Sequence, residues 1–136
     1  MTEQNYYLEI DSDPNNLITV EEFVNYFSIE LRVKADRMPG LLLSVTEATT
    51  NAIKHANKND KNKKVIITAE KINNQLIVVV KDEGNGFDPS VIPDPTAPEN
   101  LMKDSGRGLY LMKYYMDDVK YNMTPTGTEI ILKLNL

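Results

Sequence analysis

Residues 41–57 read LLLSVTEATTNAIKHAN and predict an amphipathic helix with a polar stripe along one edge. Glu47, Asn51 and His55 recur every four residues, so at about 100° per residue each is displaced by roughly 40° from the one before. The adjoining arc is apolar and contains Leu41, Leu42, Val45, Ala48, Ala52, Ile53 and Ala56. We therefore expect the stripe to flank the buried face of the helix rather than point straight into water.

The first two members of this stripe can work together chemically. The Glu47 carboxylate can accept a proton or align a nucleophile, and the Asn51 carbonyl oxygen is a hard ligand suited to Mg²⁺. An isolated pair at this spacing is more often a solvated helix edge. The choice between the two interpretations therefore depends on the rest of the chain.

Length and composition limit the classes of protein that this chain can be. Its 136 residues fit one domain, assigned to residues 1–136, which can bury about two thirds of its unfolded surface. Because there is no cysteine, disulfides, thiolate metal sites and a cysteine nucleophile are excluded. His55 is the only histidine, which excludes metal sites built from several histidines.

Charge and hydropathy argue against nucleic-acid and membrane partners. The net charge of -5 and the pI near 4.9 disfavour binding to nucleic acid or an anionic membrane. No apolar run approaches the length of about 18 residues that spans a bilayer, and the N-terminus lacks a signal peptide pattern. We expect a cytoplasmic protein. The lysine-rich segment at residues 57–64, including Asn57, is predicted to be a solvated loop.

Sequence periodicity predicts a two-layer sandwich of helices on a sheet. In chain order it gives an edge strand at residues 6–11, a helix at 17–33, strands at 64–71 and 75–82, a helix at 109–116 and strands at 119–123 and 129–136. Ile72, Asn73 and Asn74 predict a hairpin turn. Residues 76–80 are apolar without interruption, so this strand should be central with both faces covered. The predicted sheet is mixed and mainly antiparallel, with its helices on one face.

A second motif, D-x-G-x-G, follows the predicted central strand at Asp82, Gly84 and Gly86. Two glycines could simply form a tight turn. Alternatively, a carboxylate at a strand end beside exposed backbone can accept a hydrogen bond from the amino group of a flat heterocycle. The pattern alone leaves both interpretations open.

The third motif, G-x-G, comes before the predicted helix at 109–116. It contains Gly106, Arg107 and Gly108, followed by Leu109, and backbone N–H groups before a helix suit a phosphate chain. Ser105 could instead be a plain N-cap. The preceding residues, about 88–105, hold four prolines and no clear period. They are predicted to form a lid over a site, with a disordered linker as the alternative.

Taken in order, the three motifs resemble the ATP-binding fold shared by histidine kinases, type II topoisomerases, Hsp90 chaperones and MutL. Within this GHKL superfamily the chain most resembles the bacterial serine/threonine kinases that act as anti-sigma factors. The segments TEATTNAIKHA, DEGNGFDP, PDPTAPENL, SGRGLYLMKYYMDDV and GTEIIL carry this resemblance. It implies an α+β two-layer sandwich of the Bergerat, or histidine-kinase-like, type.

The resemblance also implies a role for each motif residue. It assigns Asn51 to Mg²⁺ and Glu47 to the general base, or to alignment of the attacking hydroxyl. It assigns Asp82 to the adenine amino group of ATP. The other nucleotide-binding residues that it implies are Gly84, Gly86, Gly106, Arg107, Gly108, Leu109 and Thr128.

The implied partners are a sigma factor and an anti-sigma factor antagonist, and a homodimer is left open. The implied reaction is ATP-dependent phosphorylation of a serine or threonine on the antagonist. A binding module in which ATP closes the lid without chemistry is the alternative. A histidine kinase catalytic domain is a third candidate, if a separate protein supplies the phosphorylated histidine. Residues 1–40 carry no recognised motif.

Overall fold

The computed structural model describes residues 4–84 and 104–136, with the backbone alone at residues 104–109. The strands are β1 (Asn5–Asp11), β2 (Lys64–Ile72), β3 (Gln75–Lys81), β4 (Asp118–Thr124) and β5 (Gly127–Asn135). The helices are α1 (Leu17–Glu30), α2 (Met38–Thr50) and α3 (Asp104–Tyr115), with a 3₁₀ turn at Pro14–Asn16 and a π-helical turn at Asn51–Ala56. No helix in these two ranges has the length and hydropathy needed to cross a bilayer.

The five strands form one sheet in the order β1-β2-β3-β5-β4. β1 is an edge strand and β3 is the central one, as predicted. The four pairings between these strands are all antiparallel, which narrows the predicted mixed sheet to an antiparallel one over the described residues. The β2–β3 hairpin turns at Asn73 and Asn74, whose φ angles of 50° and 62° are the positive values that such a turn needs.

The prediction that both faces of β3 are covered was wrong. Leu76, Val78 and Val80 are buried, whereas the alternating residues Ile77 and Val79 are only half-buried. The reason is that α2 packs against β3 and β5 on one face, while α1 and α3 pack against α2. A strand with a continuous apolar run can therefore have one open face, because the run does not record where the helices lie.

A single hydrophobic core lies between the helices and this face of the sheet. Among its fully buried side chains are Phe27, Leu41, Ile53, Met112 and Leu132. Each large aliphatic or aromatic side chain buried in this way contributes about 1.5–3 kcal/mol relative to an exposed one. The core fixes α2 against β3 and β5, and these are the elements that carry most of the predicted site.

The predicted helix at 41–57 begins earlier and changes its geometry before it ends. The helix α2 begins at Met38, with Pro39 in its first turn, and gives way to the π-helical turn at Asn51. The hydroxyls of Thr46, Thr49 and Thr50 each donate to the carbonyl four residues back, an interaction that bends helices. The change of geometry therefore falls directly after a run of such threonines, at the proposed metal ligand.

Two other boundaries differ from their predictions. The first helix ends at Glu30 rather than 33, and Arg32 has a positive φ of 59° where the chain turns. The third helix begins at Asp104 rather than 109, so Gly106, Arg107 and Gly108 lie in its first turns and not in a loop before it. Its buried side chains include Met112, and Met116 just beyond the helix is buried, whereas Tyr115 is 37% exposed.

The final hairpin is tighter than predicted. Residues 124–128 were expected to join its two strands, but β4 runs to Thr124 and β5 begins at Gly127, leaving Pro125 and Thr126 as the turn. This places Thr128 within β5, paired with Met123. Thr128 thus lies on a regular strand next to the end of β3.

Candidate functional site

Asp82 follows the last residue of β3 and is held by β5. Its side chain is buried, with 3% of the residue exposed. Its Oδ1 accepts hydrogen bonds from the backbone N–H groups of Gly84 and Thr128, each at 3.0 Å. The Asp82 N–H donates in turn to the Thr128 carbonyl at 3.0 Å. The carboxylate is therefore fixed in position at the end of the central strand.

Burial raises the pKa of Asp82 above its ordinary value. Hydrogen bonds from the backbone N–H groups of Gly84 and Thr128, and the positive charge of Lys63, oppose this shift without cancelling it. A charge held where water solvates it poorly interacts strongly with any polar group that reaches it. Such residues occur often at functional sites.

Thr128 adds a second polar group beside Asp82. Its side chain is fully buried, and its Oγ1 has no hydrogen-bond partner among the residues described. A buried hydroxyl without a partner costs about 1–3 kcal/mol of stability. Its presence beside a buried carboxylate is explained if a ligand completes its hydrogen bonding.

Gly127 is part of this arrangement, although sequence reasoning did not include it in the site. A Cβ at this position would lie 2.0 Å from the Asp82 carbonyl oxygen, so no side chain fits there. The close approach allows Thr128 to exchange hydrogen bonds with Asp82. The available signal was a glycine in the predicted turn at residues 124–128, directly before Thr128.

Glu47 and Asn51 lie where the polar stripe was predicted. Both are half-buried and adjoin the buried residues Ala48 and Ala52, whereas His55 is exposed. Neither Glu47 nor Asn51 makes a side-chain hydrogen bond to another residue in the described ranges. Their oxygens are therefore available to a ligand, as far as the described structure extends.

Gly84 brings the first two motifs into contact. A Cβ on Gly84 would lie 2.6 Å from the carbonyl oxygen of Ala56, at the end of the π-helical turn that begins with Asn51. The loop after β3 thus packs directly on this turn. The structure brings together the elements that carry Glu47, Asn51, Asp82, Gly84 and Thr128 at one end of the sheet.

The remaining predicted site residues are placed in part or not at all. Gly86 and residues 88–103 of the predicted lid lie outside the described residues. For Gly106, Arg107, Gly108 and Leu109 the structure gives the backbone, within α3. An α-helix leaves the N–H groups of its N-cap and first three residues unpaired, and in α3 the latter are residues 104–106. The phosphate-binding role of this segment stays a prediction.

Asn57 is a buried residue that sequence reasoning assigned to a solvated loop. It is fully buried, and its Nδ2 donates to Ser12 Oγ at 2.9 Å and to the Lys64 carbonyl at 3.1 Å. Its Oδ1 accepts from the Glu83 N–H at 2.9 Å. Composition gave no signal for this, because the residues that follow Asn57 are similar in composition and Lys58, Asn59, Lys61 and Asn62 are exposed.

A cleft of about 460 Å³ opens at the same end of the sheet. Its lining includes Lys64, Ile66 and Lys81, which alternate along their strands with the buried Val65 and Val80. These side chains belong to the open face of the sheet. The lining also includes Asp82, Glu83 and Gly84, so the cleft reaches the loop that carries the candidate site.

The donor set fits an aminopurine nucleotide. Asp82 offers a fixed acceptor for an amino group, and the unpaired Thr128 hydroxyl can pair with a further polar atom of the ring. Within the described ranges no three His, Cys, Asp or Glu residues cluster as metal ligands. An Mg²⁺ ion held here would rely on Asn51, phosphate oxygens and water, as is usual for nucleotide-bound Mg²⁺.

Comparison with known proteins identifies the family. The model of the histidine kinase-like ATPase domain matches residues 10–134. An anti-sigma F factor of Shouchella clausii is 32% identical over 117 residues, covering 83% of this chain and 80% of that protein. The chain belongs to the histidine kinase-like ATPase family, in the group that includes RsbW serine-protein kinases and anti-sigma F factors.

A further relative and two solved structures agree with this assignment. The serine-protein kinase RsbW of Bacillus subtilis is 38% identical over 91 residues, and the match covers 62% of this chain but only 57% of RsbW. The RsbU and RsbW domains of a Mycobacterium tuberculosis protein match with a TM-score of 0.71 and 15% identity, over 98% of this chain and 32% of that one. The catalytic domain of histidine kinase ThkA matches with a TM-score of 0.63 and 16% identity, over 99% of this chain and 96% of that one. At these identities the structures show the fold alone.

Proposed function

We propose that this protein is an ATP-dependent protein serine/threonine kinase that acts as an anti-sigma factor. The observation that carries the proposal is the buried Asp82 carboxylate. It is paired with Thr128, and Gly84 in the same loop packs against the turn that begins with Asn51, in a chain of the histidine kinase-like ATPase family. The relatives named serine-protein kinase and anti-sigma F factor support the activity and the class of partner.

In the proposed reaction, the position of each residue sets its role. Asp82 accepts the amino group of adenine, Thr128 supports the ring, and Gly84 and Gly86 shape the pocket around it. Asn51 would hold Mg²⁺, which neutralises charge on the phosphates during phosphoryl transfer. Glu47, one turn before Asn51 on α2, orients the attacking hydroxyl and accepts its proton. The N–H group of Gly106, in the first turn of α3, binds the phosphates, whereas the N–H groups of Gly108 and Leu109 pair within the helix.

The proposed partners are a sigma factor and an anti-sigma factor antagonist, with the antagonist as the phosphorylated protein. The anti-sigma F factor among the relatives supports a sigma factor as partner, and the serine-protein kinases support a protein as the phosphorylated substrate. A net charge of -5 favours proteins over nucleic acid as direct partners. Such partners work where transcription takes place, so the proposal carries a cytoplasmic location with it.

We also propose a homodimer formed through the open face of the sheet. Its half-buried centre is apolar and includes Val79 and Ile131, which are paired across β3 and β5. Charges of both signs surround it, among them Glu70, Lys81, Glu129 and Lys133. A two-fold axis through this face can place acidic residues of one protomer opposite basic residues of its partner, around an apolar centre.

Sedimentation velocity tests this homodimer. It should show a dimer for the wild type and a monomer for Ile131→Glu. A wild-type protein that stays a monomer at every concentration contradicts the proposal.

A nucleotide-gated binding module without transfer chemistry is the second candidate. One observation favours it: the Shouchella clausii relative, which matches a larger share of this chain than the Bacillus subtilis kinase does, is named an anti-sigma F factor rather than a kinase. In this alternative, ATP binding would create the partner surface, and Glu47 would have no chemical role.

One experiment separates the two candidates. The pure protein is incubated with Mg²⁺, ATP labelled at the γ-phosphate and the antagonist encoded nearest to its gene. We expect label on a serine or threonine of the antagonist, and no label when ADP replaces ATP or when Mg²⁺ is chelated. A wild-type protein that binds ATP and retains the antagonist without labelling it contradicts the kinase proposal and supports the binding module.

A further inference from the structure

Asn57 joins the two halves of the candidate site. It lies directly after the π-helical turn that begins with Asn51, and its N–H donates to the Ala52 carbonyl five residues back, at 2.9 Å. This bond holds the Asn57 backbone as part of that turn. The side-chain oxygen of Asn57, Oδ1, accepts the Glu83 N–H. Asn57 thus bonds the helix that carries the proposed metal ligand to the loop that carries Asp82.

The rest of the Asn57 side chain ties this junction to the sheet. Its Nδ2 reaches the Lys64 carbonyl at the start of β2, and Ser12 Oγ beyond β1. Ser12 Oγ itself donates to the Lys63 carbonyl at 2.6 Å. All the hydrogen-bonding atoms of this buried amide are in use, and a fully satisfied buried polar network makes a junction rigid.

The loop between Asp82 and Gly84 has little else to set its distance from the π-helical turn. Gly84 contacts Ala56 by packing alone, with no room for a Cβ. Glu83 takes part in two hydrogen bonds of this junction. In one of them the Lys64 N–H donates to Glu83 Oε2, which links the loop to β2. The Asn57–Glu83 bond links it to the turn.

We propose that Asn57 is a positioning residue for nucleotide binding. It sets the distance between Asp82, the proposed acceptor for the purine, and Asn51, the proposed metal ligand. The site can then bind the base and the phosphates of one nucleotide at the same time. This inference rests on the proposed nucleotide-binding function. It goes beyond that function because Asn57 itself need not touch the nucleotide.

Asn57→Ala and Ser12→Ala provide a matched test. Both variants disrupt the same buried network and both should lower the melting temperature, because each leaves buried groups unpaired. Only Asn57→Ala releases the Glu83 N–H. We expect its ADP affinity with Mg²⁺, measured by calorimetry at 15 °C on protein shown to be folded, to fall about 10- to 100-fold, as for residues that orient metal ligands. Ser12→Ala should bind ADP like the wild type.

These measurements distinguish a failure of the positioning role from a failure of the proposed nucleotide-binding function. If the wild type binds no ADP, the nucleotide site itself is refuted. If the wild type binds and Asn57→Ala binds equally well, or Ser12→Ala loses as much affinity, only the positioning role is refuted.

Nuclear magnetic resonance of the wild type gives a second measurement that needs no variant. ADP should shift the side-chain amide signals of Asn57 and the backbone amide of Glu83, and unchanged signals overturn the inference.

Discussion

Glu47→Ala is expected to abolish phosphoryl transfer to the antagonist while ATP binding persists. Glu47 lies one helical turn before Asn51, is half-buried, and makes no side-chain hydrogen bond to another described residue. Removing a general base costs about 10²–10⁴-fold in rate, equivalent to about 3–5 kcal/mol of transition-state stabilisation. Binding should change little because the proposed contacts of Glu47 are to the attacking hydroxyl and not to the nucleotide.

The measurement is a single-turnover assay with γ-labelled ATP, and calorimetry with ADP and Mg²⁺ reports binding. Glu47→Gln keeps the shape of the side chain but cannot accept the proton, so it should resemble Glu47→Ala. His55→Ala changes the exposed end of the same stripe and should transfer phosphate like the wild type. Normal transfer by Glu47→Gln would refute proton acceptance by Glu47, and normal transfer by both Glu47 variants would refute any role in the chemistry.

How far the sequence alone could predict this site depends on which interactions are local. The stripe of Glu47 and Asn51 follows from a periodicity within one helix, and the structure places both at the edge of the buried face. The Asn73–Asn74 turn was likewise predictable because positive φ is a property of the residue itself. Local rules of this kind extend over about one turn of helix or one hairpin.

Features that depend on distant parts of the chain were missed. The contact between Gly127 and Asp82, and the burial of Asn57 against Ser12 and Glu83, join residues 26 to 45 positions apart. Nothing in the composition of a lysine-rich segment signals that one of its asparagines faces the interior. The open face of β3 was missed for the same reason, because the sequence of one strand does not say where the helices pack.

The boundary of α3 shows a different limit. Glycines usually end helices, so a G-x-G segment predicted a loop followed by a helix. The structure instead starts the helix at Asp104, with Gly106 and Gly108 inside it. Packing of α3 against α2 can outweigh the weak propensity of two glycines, whose cost is about 1 kcal/mol each.

Asp82→Asn is expected to weaken nucleotide binding about 10- to 100-fold while leaving the fold intact. The variant keeps an Oδ1 acceptor for the N–H groups of Gly84 and Thr128, so the loop should hold its shape. It loses the charge that receives the amino group of adenine, and a hydrogen bond to a charged group contributes about 1.5–3 kcal/mol. Glu83→Gln removes the same charge from the adjacent residue, which is exposed, and keeps an oxygen to accept the Lys64 N–H, so this variant should bind like the wild type.

Stability should respond in the opposite direction from binding. Because burial raises the pKa of Asp82 in the folded protein above its unfolded value, the ionised carboxylate is less favourable in the folded state. Its cost to stability therefore appears as the pH rises above the ordinary value of 3.8. At neutral pH, without nucleotide, we expect Asp82→Asn to melt at or above the temperature of the wild type. A melting temperature well below that of the wild type would mean that the carboxylate is needed for folding.

The raised pKa of Asp82 also predicts how binding depends on pH. Acid protonates this carboxyl at a higher pH than an ordinary aspartic acid, and the protonated, uncharged group is a weaker acceptor for the adenine amino hydrogen. The ratio of wild-type to Asp82→Asn affinity for ADP, in which titration of the ligand cancels, should therefore be large at neutral pH. It should decline toward one as the pH falls toward the raised pKa. A ratio that stays constant across this range, or that is close to one at neutral pH, would show that the ionised form of Asp82 does not bind the base.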